Sequence, residues 1–223
     1  MRKEYLFEIM WKENLDQHRT QRREDIINTA KSLFMERSLT EVTLKDIVEA
    51  CGISKVTFYK YFTSIDEIIF EVEIDILSQW VNRIRETKLE GSNSYERLAY
   101  LLKVQLLEAD IKMVRFTAMF DTLYQNNYPT PELEKKFRAY LQGGSHPFVS
   151  LIQSGIQDGS MRQDMDAREI GYTISNIVMA SLHRNLLRGK LLELDQKVKN
   201  SVVMQNTMDM ILNFVKVPSE TQA

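Results

Sequence analysis

The chain has 223 residues, 43% of them hydrophobic and 27% charged, with a formal net charge of −2, a balance that fits a globular protein and excludes an unstructured polyelectrolyte. No run of about 18 apolar residues occurs, which excludes a predicted membrane span, and the opening residues Met1-Arg2-Lys3-Glu4-Tyr5 have no secretory apolar core. The single cysteine, Cys51, can form no bridge within the chain and suits a reducing compartment, so a cytoplasmic location is expected.

Eight glycines and four prolines leave room for long helices, because both residues are costly in a helix interior. Strict apolar/polar alternation is missing, and the only hairpin-like dipeptide, Asp158-Gly159, lies between two helical patterns. The expected fold class is all-α. Residues 1–18 read as a loosely docked or frayed N-terminal extension. From Thr20 a helical period is clear, with Ile26, Ile27, Ala30, Leu33 and Phe34 on one face. Leu44, Ile47, Val48 and Cys51 follow at i, i+3, i+4 and i+7, with Thr43 placed to cap them. A third short helix is expected from Ser54 to Phe62, and a fourth from Ser64 to about Lys88 with Asp66 and Glu67 in its first turn. After Gly91-Ser92-Asn93 come expected helices over Ser94–Ala109, Ile111–Gln125, Pro131–Leu141, Pro147–Gln157, Asp166–Leu187 and Leu194–Val215. The predicted division is an extension at 1–18, a three-helix helix-turn-helix domain at 19–65, a larger helical domain at 66–217, and a disordered tail at 218–223.

The segment Leu44–Phe62 carries the functional signal. Two short helices meet at Cys51-Gly52-Ile53-Ser54, where Gly52 permits the positive φ of a tight turn. Ile47, Val48 and Ile53 can pack beneath the turn, with Phe58 and Phe62 holding the second helix on the first. Thr43, Ser54, Lys55, Val56, Thr57, Tyr59, Lys60 and Tyr61 remain for a DNA-facing surface. Lysines neutralise phosphates, while hydroxyls and helix N-termini supply hydrogen bonds. Residues 19–62 carry eight Lys/Arg against six Asp/Glu, a local basic excess in an acidic chain. By residue chemistry alone, a glycine turn with an aromatic-rich helix also suits an ordinary helical hairpin.

The pattern Ile27-x-x-Ala30-x-x-Leu33-Phe34, Thr43-Leu44-x-x-Ile47, Ala50-x-Gly52-Ile53-Ser54-Lys55-x-Thr57-Phe58-Tyr59-x-Tyr61-Phe62 and Asp66-Glu67 resembles the DNA-binding domain of the TetR (tetracycline repressor-like, TetR/AcrR) family. The likeness covers Thr20 to Phe70. Two positions depart from it: Ser38 stands where the family has glycine after its first helix, and Ile65 stands where the family has a phosphate-contacting lysine. Arg19, Arg22 or Lys60 could replace that contact. The resemblance implies a homodimeric repressor that binds a palindromic operator and is released by a small-molecule effector. It also implies that the larger helical domain handles ligand binding and dimerisation.

For an apolar or amphipathic effector, the expected lining is Met113, Phe116, Met119, Phe120, Tyr124, Phe137, Tyr172, Asn176, Met179 and His183, since methionines and aromatics suit an adaptable pocket. A stripe of this kind is equally compatible with ordinary core. For the dimer interface, Ile174, Val178, Val202, Met208 and Leu212 are expected on the last two helices, where Gly171, Ser175, Ala180 and Ser181 would permit close approach. No Gly-rich phosphate loop, nucleophile elbow or metal-ligand spacing is present, so neither enzymatic activity, nor a cofactor, nor a metal site is expected. The alternative reading is a helical protein-interaction adaptor without DNA binding.

Overall fold

The computed structural model describes residues 2–86 and 90–218. Ten helices are present among them: α1 (Arg2–Glu36), α2 (Leu44–Ala50), α3 (Lys55–Phe58), α4 (Ile65–Glu86), α5 (Ser94–Leu107), α6 (Ile111–Leu123), α7 (Pro131–Gln142), α8 (Pro147–Gln157), α9 (Ala167–Gln196) and α10 (Asn200–Val215). The only β feature among the described residues is an isolated bridge between Met161 and Lys216. The expected all-α class is correct. The tail at 219–223 and the expected end of the fourth helix at Lys88 lie outside the described residues.

Caps set many of the helix ends. Asn93 Oδ1 accepts from the Glu96 amide at 2.9 Å, and the Glu96 carboxylate accepts in return from the Ser92 amide at 2.7 Å. At α9, Asp166 Oδ1 takes the amides of Arg168 and Glu169 at 2.8 and 2.9 Å, satisfying two of the helix's orphan donors. Pro147 sits in the first turn of α8, where its missing N–H is no loss.

The chain forms two compact units. The first comprises Met1–Asp75 with Met119–Phe137, the second Ile76–Ala118 with Arg138–Ala223. The border thus falls inside α4, α6 and α7, rather than at residue 65, and residues 66–75 and 119–137 join the N-terminal unit. Aromatic packing is the reason. Phe70, 1% exposed, meets Phe120 and Tyr124 at 4.9 Å, Phe137 at 5.4 Å and Tyr128 at 5.9 Å between ring centroids, in the edge-on geometry that rings favour. Beside them Glu71 is bonded by both Arg23 and Lys136. Burial alone would push the Glu71 carboxyl up, but these two cations outweigh it and hold it below its ordinary value.

In the second unit, Leu98, Leu101 and Leu102 of α5, Phe148 and Ile152 of α8, Ile174 and Val178 of α9 and Ile211 and Val215 of α10 make the core. α8 and α9 pack closely because Gly171 has no side chain: a Cβ there would lie 2.6 Å from the Val149 amide nitrogen. Asp158 closes the turn after α8 by accepting from the Ser160 amide at 2.9 Å and from the Ser94 amide and hydroxyl at 2.9 and 2.6 Å. The Ser160 and Ser94 bonds hold its carboxyl far below the ordinary carboxylate range.

Residues 2–36 form one continuous helix, so the extension expected at 1–18 continues directly into the first helix of the DNA-binding segment. The expected break between the last two helices at 188–193 is absent. α9 runs on to Gln196 and ends at Lys197, which adopts a left-handed conformation with φ 54°.

Candidate nucleic-acid interface and effector cavity

The helix-turn-helix is assembled from α2, α3 and the turn between them. Thr43 caps α2: its amide donates to Asp46 Oδ2 at 2.8 Å, and its hydroxyl both bonds that carboxylate and accepts from the Asp46 amide. These Thr43 bonds, with Arg37 at 3.2 Å, hold the Asp46 carboxyl at about 2. The Thr43 hydroxyl is therefore committed to the cap, which corrects its expected use as a phosphate donor. At the turn, Gly52 has φ +62°, and a Cβ there would meet nothing within 4 Å. Glycine is required for its conformation and not for space. The amides of Cys51, Gly52 and Ile53 return to the Ile47, Glu49 and Val48 carbonyls at 2.9, 3.1 and 3.0 Å, closing α2.

Ser54 caps α3, accepting from the Thr57 amide at 3.0 Å. Phe58 and Phe62 are 0% and 1% exposed, and Arg23 lies over the Phe62 ring at 4.8 Å. The regular helix stops at Phe58, and turns carry the chain through Tyr59, Lys60 and Tyr61, shorter than the expected Ser54–Phe62. With the phenylalanines inside, Ser54, Lys55, Val56, Tyr59 and Lys60 are exposed, while Thr57 and Tyr61 are half-buried. The Thr57 hydroxyl lies 3.0 Å from the Ser54 hydroxyl. At the start of α4, where Ile65 replaces lysine, Glu67 accepts from the Thr63 amide and hydroxyl at 2.7 and 2.9 Å.

The second unit contains a cavity of about 740 Å³, a size suited to a small-molecule ligand. Residues of α4 such as Ile76, Trp80 and Val81 line it, with the ends of α5 and α7, the first half of α6, and Tyr172, Ser175, Asn176 and Met179 of α9. Of the expected lining, Met113, Tyr172, Asn176 and Met179 are in place. Phe116 is in this unit but buried at 2% exposure and outside the lining, and His183 is also outside it. Met119, Phe120, Tyr124 and Phe137 belong to the other unit. The last three pack on Phe70 instead, Phe120 and Tyr124 from the end of α6 and the residue after it and Phe137 from α7.

The polar fittings of the cavity were not expected. Trp80 Nε1 donates to Gln105 Oε1, and the Ser78 hydroxyl donates to the Tyr140 hydroxyl at 3.0 Å. The His146 ring sits 5.1 Å from Tyr172, 5.8 Å from Phe148 and 6.3 Å from Trp80, and burial lowers its pKa. Gln105, 4% exposed, was detectable as a polar residue within the apolar spacing Leu98, Leu101, Leu102, Leu106. Among the described residues no cluster of metal-ligand type is present.

The expected dimer residues divide. Ile174 and Val178 are 3% and 0% exposed within their own chain's core and offer no surface to a partner, which removes them from the interface. Met208 and Leu212 are partly buried against the same core, and Val202 is exposed. The neighbouring faces expose a different apolar set: Ile177, Leu187, Leu191 and Leu194 on α9, and Val203, Met210 and Phe214 on α10. Steps of three, four, seven or ten residues within each set place it on one helical face.

Residues 26–72 match the family model described as bacterial regulatory proteins, tetR family. The chain is 28% identical over 150 residues to the transcriptional repressor KstR2 of Rhodococcus jostii, covering 65% of this chain and 70% of that protein. It is 25% identical over 145 residues to the fatty acid metabolism regulator protein of Bacillus subtilis, covering 64% and 72%. A solved structure of the Bacillus subtilis regulator FadR in complex with stearoyl-CoA superposes with a TM-score of 0.62 at 19% identity, over 86% of this chain and 98% of that one. No helix among the described residues is long and apolar enough to cross a membrane. Residues 26–72, which contain the helix-turn-helix, match the DNA-binding segment of the tetR family of bacterial regulatory proteins, and the chain is similar over about two thirds of its length to transcriptional repressors.

Proposed function

We propose that this protein is a cytoplasmic, homodimeric repressor that binds a palindromic operator and is released when an amphipathic molecule with a long apolar part enters the cavity of the second unit. The observation that carries the reading is the pairing of an exposed basic recognition element with an apolar, sparsely polar cavity of about 740 Å³ in the other unit. Lys55, Lys60, Tyr59 and Tyr61 engage backbone and groove on each half-site. In a dimer the two recognition elements are related by twofold symmetry, so the operator is expected to mirror it. The exposed apolar faces of α9 and α10 supply the dimer contact, with Val202, Met208 and Leu212 at its margin.

Acyl thioesters of coenzyme A are the first effector class to test, since a structurally similar regulator holds stearoyl-CoA. The cavity suits a chain of methylenes: Ile76, Val81, Val114 and Met179 offer apolar contact, and Gln105, Tyr140 and His146 offer polar atoms to a head group. The test is selection of bound DNA from a random library by the full-length protein, then titration of the selected operator with and without stearoyl-CoA. A palindromic consensus and a fall in operator affinity with the thioester support the proposal. Enrichment of no sequence would overturn it, and unchanged affinity would remove this effector class.

A further inference from the structure

Resting on the DNA-binding reading above, we infer that Val56 reads sequence by packing its methyl groups on the C5-methyl of a thymine in the major groove of each half-site. Val56 is the second residue of α3 and is 72% exposed, the most exposed of the large hydrophobic side chains of the helix-turn-helix. Nothing in the fold accounts for it. The apolar contact that holds α3 is made by Phe58 on the opposite side, at 0% exposure. Local helix formation does not ask for valine either, since a β-branched side chain is a poorer helix former than alanine. An exposed isopropyl group that contributes neither to the core nor to the helix is matched to something outside the chain.

Its neighbours narrow what that is. Lys55 and Lys60 supply positive charge on either side, so the partner surface is anionic. Thr57, the other short side chain of the element, is half-buried and engages Ser54 through both its amide and its hydroxyl, at 3.0 Å each. It therefore has less freedom to read a base edge than its place in the sequence suggested. Tyr59 is 57% exposed, but its ring is braced edge-on against Phe58 at 5.5 Å. Val56 is left as the apolar tip of the element. In the major groove the one apolar group that differs between bases is the thymine methyl, which makes apolar contacts with side chains of this kind.

The test uses the full-length protein and the operator it selects from random DNA. Each thymine is replaced in turn, symmetrically in both half-sites, by deoxyuridine, which removes only the methyl. For the wild type, one position is expected to lose about fourfold in affinity per half-site, the effect of losing one buried methyl contact. In Val56→Ala that penalty is expected to vanish, with thymine and uracil bound within about twofold at the same position. Val56→Ile keeps the branched apolar tip and is expected to retain the penalty. Because Val56 is exposed, circular dichroism should show all three proteins equally folded. A wild type indifferent to every methyl overturns the inference, and so does a penalty that persists in Val56→Ala. A Val56→Ala protein weakened equally on thymine and uracil, with no methyl effect in the wild type, would assign Val56 to the sugar-phosphate backbone instead. Failure to enrich any DNA would overturn the DNA-binding reading itself and this inference with it, an outcome distinct from the others.

Discussion

The Tyr124 hydroxyl donates to Asp66 Oδ1 at 2.7 Å, tying the residue just after α6 to the first turn of α4. Burial, followed by this bond, pushes the Tyr124 phenol well above its ordinary pKa. Tyr124→Phe keeps the ring against Phe70 and removes only the hydroxyl. It is expected to cost about 1–2 kcal/mol, read as a lower melting temperature. For a group whose folded pKa is raised, the contribution is complete below the unfolded value of about 10. The difference between wild type and variant should therefore stay constant from about pH 6 to 9, and a difference that shrinks within that window would show that the bond is not what Tyr124 contributes.

The cap of α2 makes an acid-side prediction. Asp46 is held at about 2 in the folded chain against an ordinary 3.8. Its folded pKa is depressed, so its contribution is present above the unfolded value and lost as pH falls towards about 2. Thr43→Ala removes the side-chain half of the cap. Urea titrations should show the variant less stable than wild type at pH 6, with the gap closing as pH falls from 4 to 2.

Lys60 is exposed at the end of the recognition element. If it neutralises a phosphate, Lys60→Ala weakens binding about equally on all sequences and lowers the slope of log affinity against log salt by about 1. A series of titrations at different salt concentrations measures it. An unchanged slope would mean that Lys60 faces away from DNA.

The cavity separates two residues that sequence spacing had grouped. Met179 lines it, whereas Phe120 packs on Phe70 in the other unit. Met179→Trp should fill space and block the effector while operator binding stays near wild type. Phe120→Leu should lower the melting temperature and leave effector binding intact, as expected for loss of ring packing. Calorimetry with the effector, beside operator titrations, distinguishes the two.

For the proposed dimer, the exposed pair Leu191 and Met210 is the place to intervene, at 54% and 68% exposure. The double substitution Leu191→Glu, Met210→Glu should give folded monomers with much weaker operator affinity, seen by light scattering and gel shift. Ile174→Glu should instead prevent folding, because it buries an unpaired charge in the core. A folded dimer carrying the double substitution would place the interface elsewhere.

The recognition element was legible in sequence because it is contiguous: capping threonine, glycine turn, capping serine and two buried phenylalanines all fall within twenty residues. The cavity was not, because separated segments build it and helical period does not say which neighbour a face meets. Along α6 and the residue after it, Phe116, Phe120 and Tyr124 looked like a pocket wall together with Met113, but only Met113 lines the cavity, beside Val114 and Thr117. The end of α9 was hidden for a different reason. Gly189 looks like a breaker, yet it lies inside the helix, where a Cβ would come 2.7 Å from Asn200 Nδ2. The true stop, Lys197, is a left-handed lysine, and Lys199 makes no side-chain cap to α10, so neither end carries a recognisable signal.

That residues 119–137 complete the N-terminal unit bears on how such regulators can be recombined. A fusion that borrows only residues 1–75 to give another sensor this protein's operator preference would strip Phe120, Tyr124, Tyr128 and Phe137 from around Phe70. It would also leave Glu71 without Lys136. The graft would carry the reading element on a floor with its aromatic half missing, prone to aggregate through the exposed ring. A transferable module has to be cut as two pieces of chain, or the host must supply its own rings at the corresponding positions.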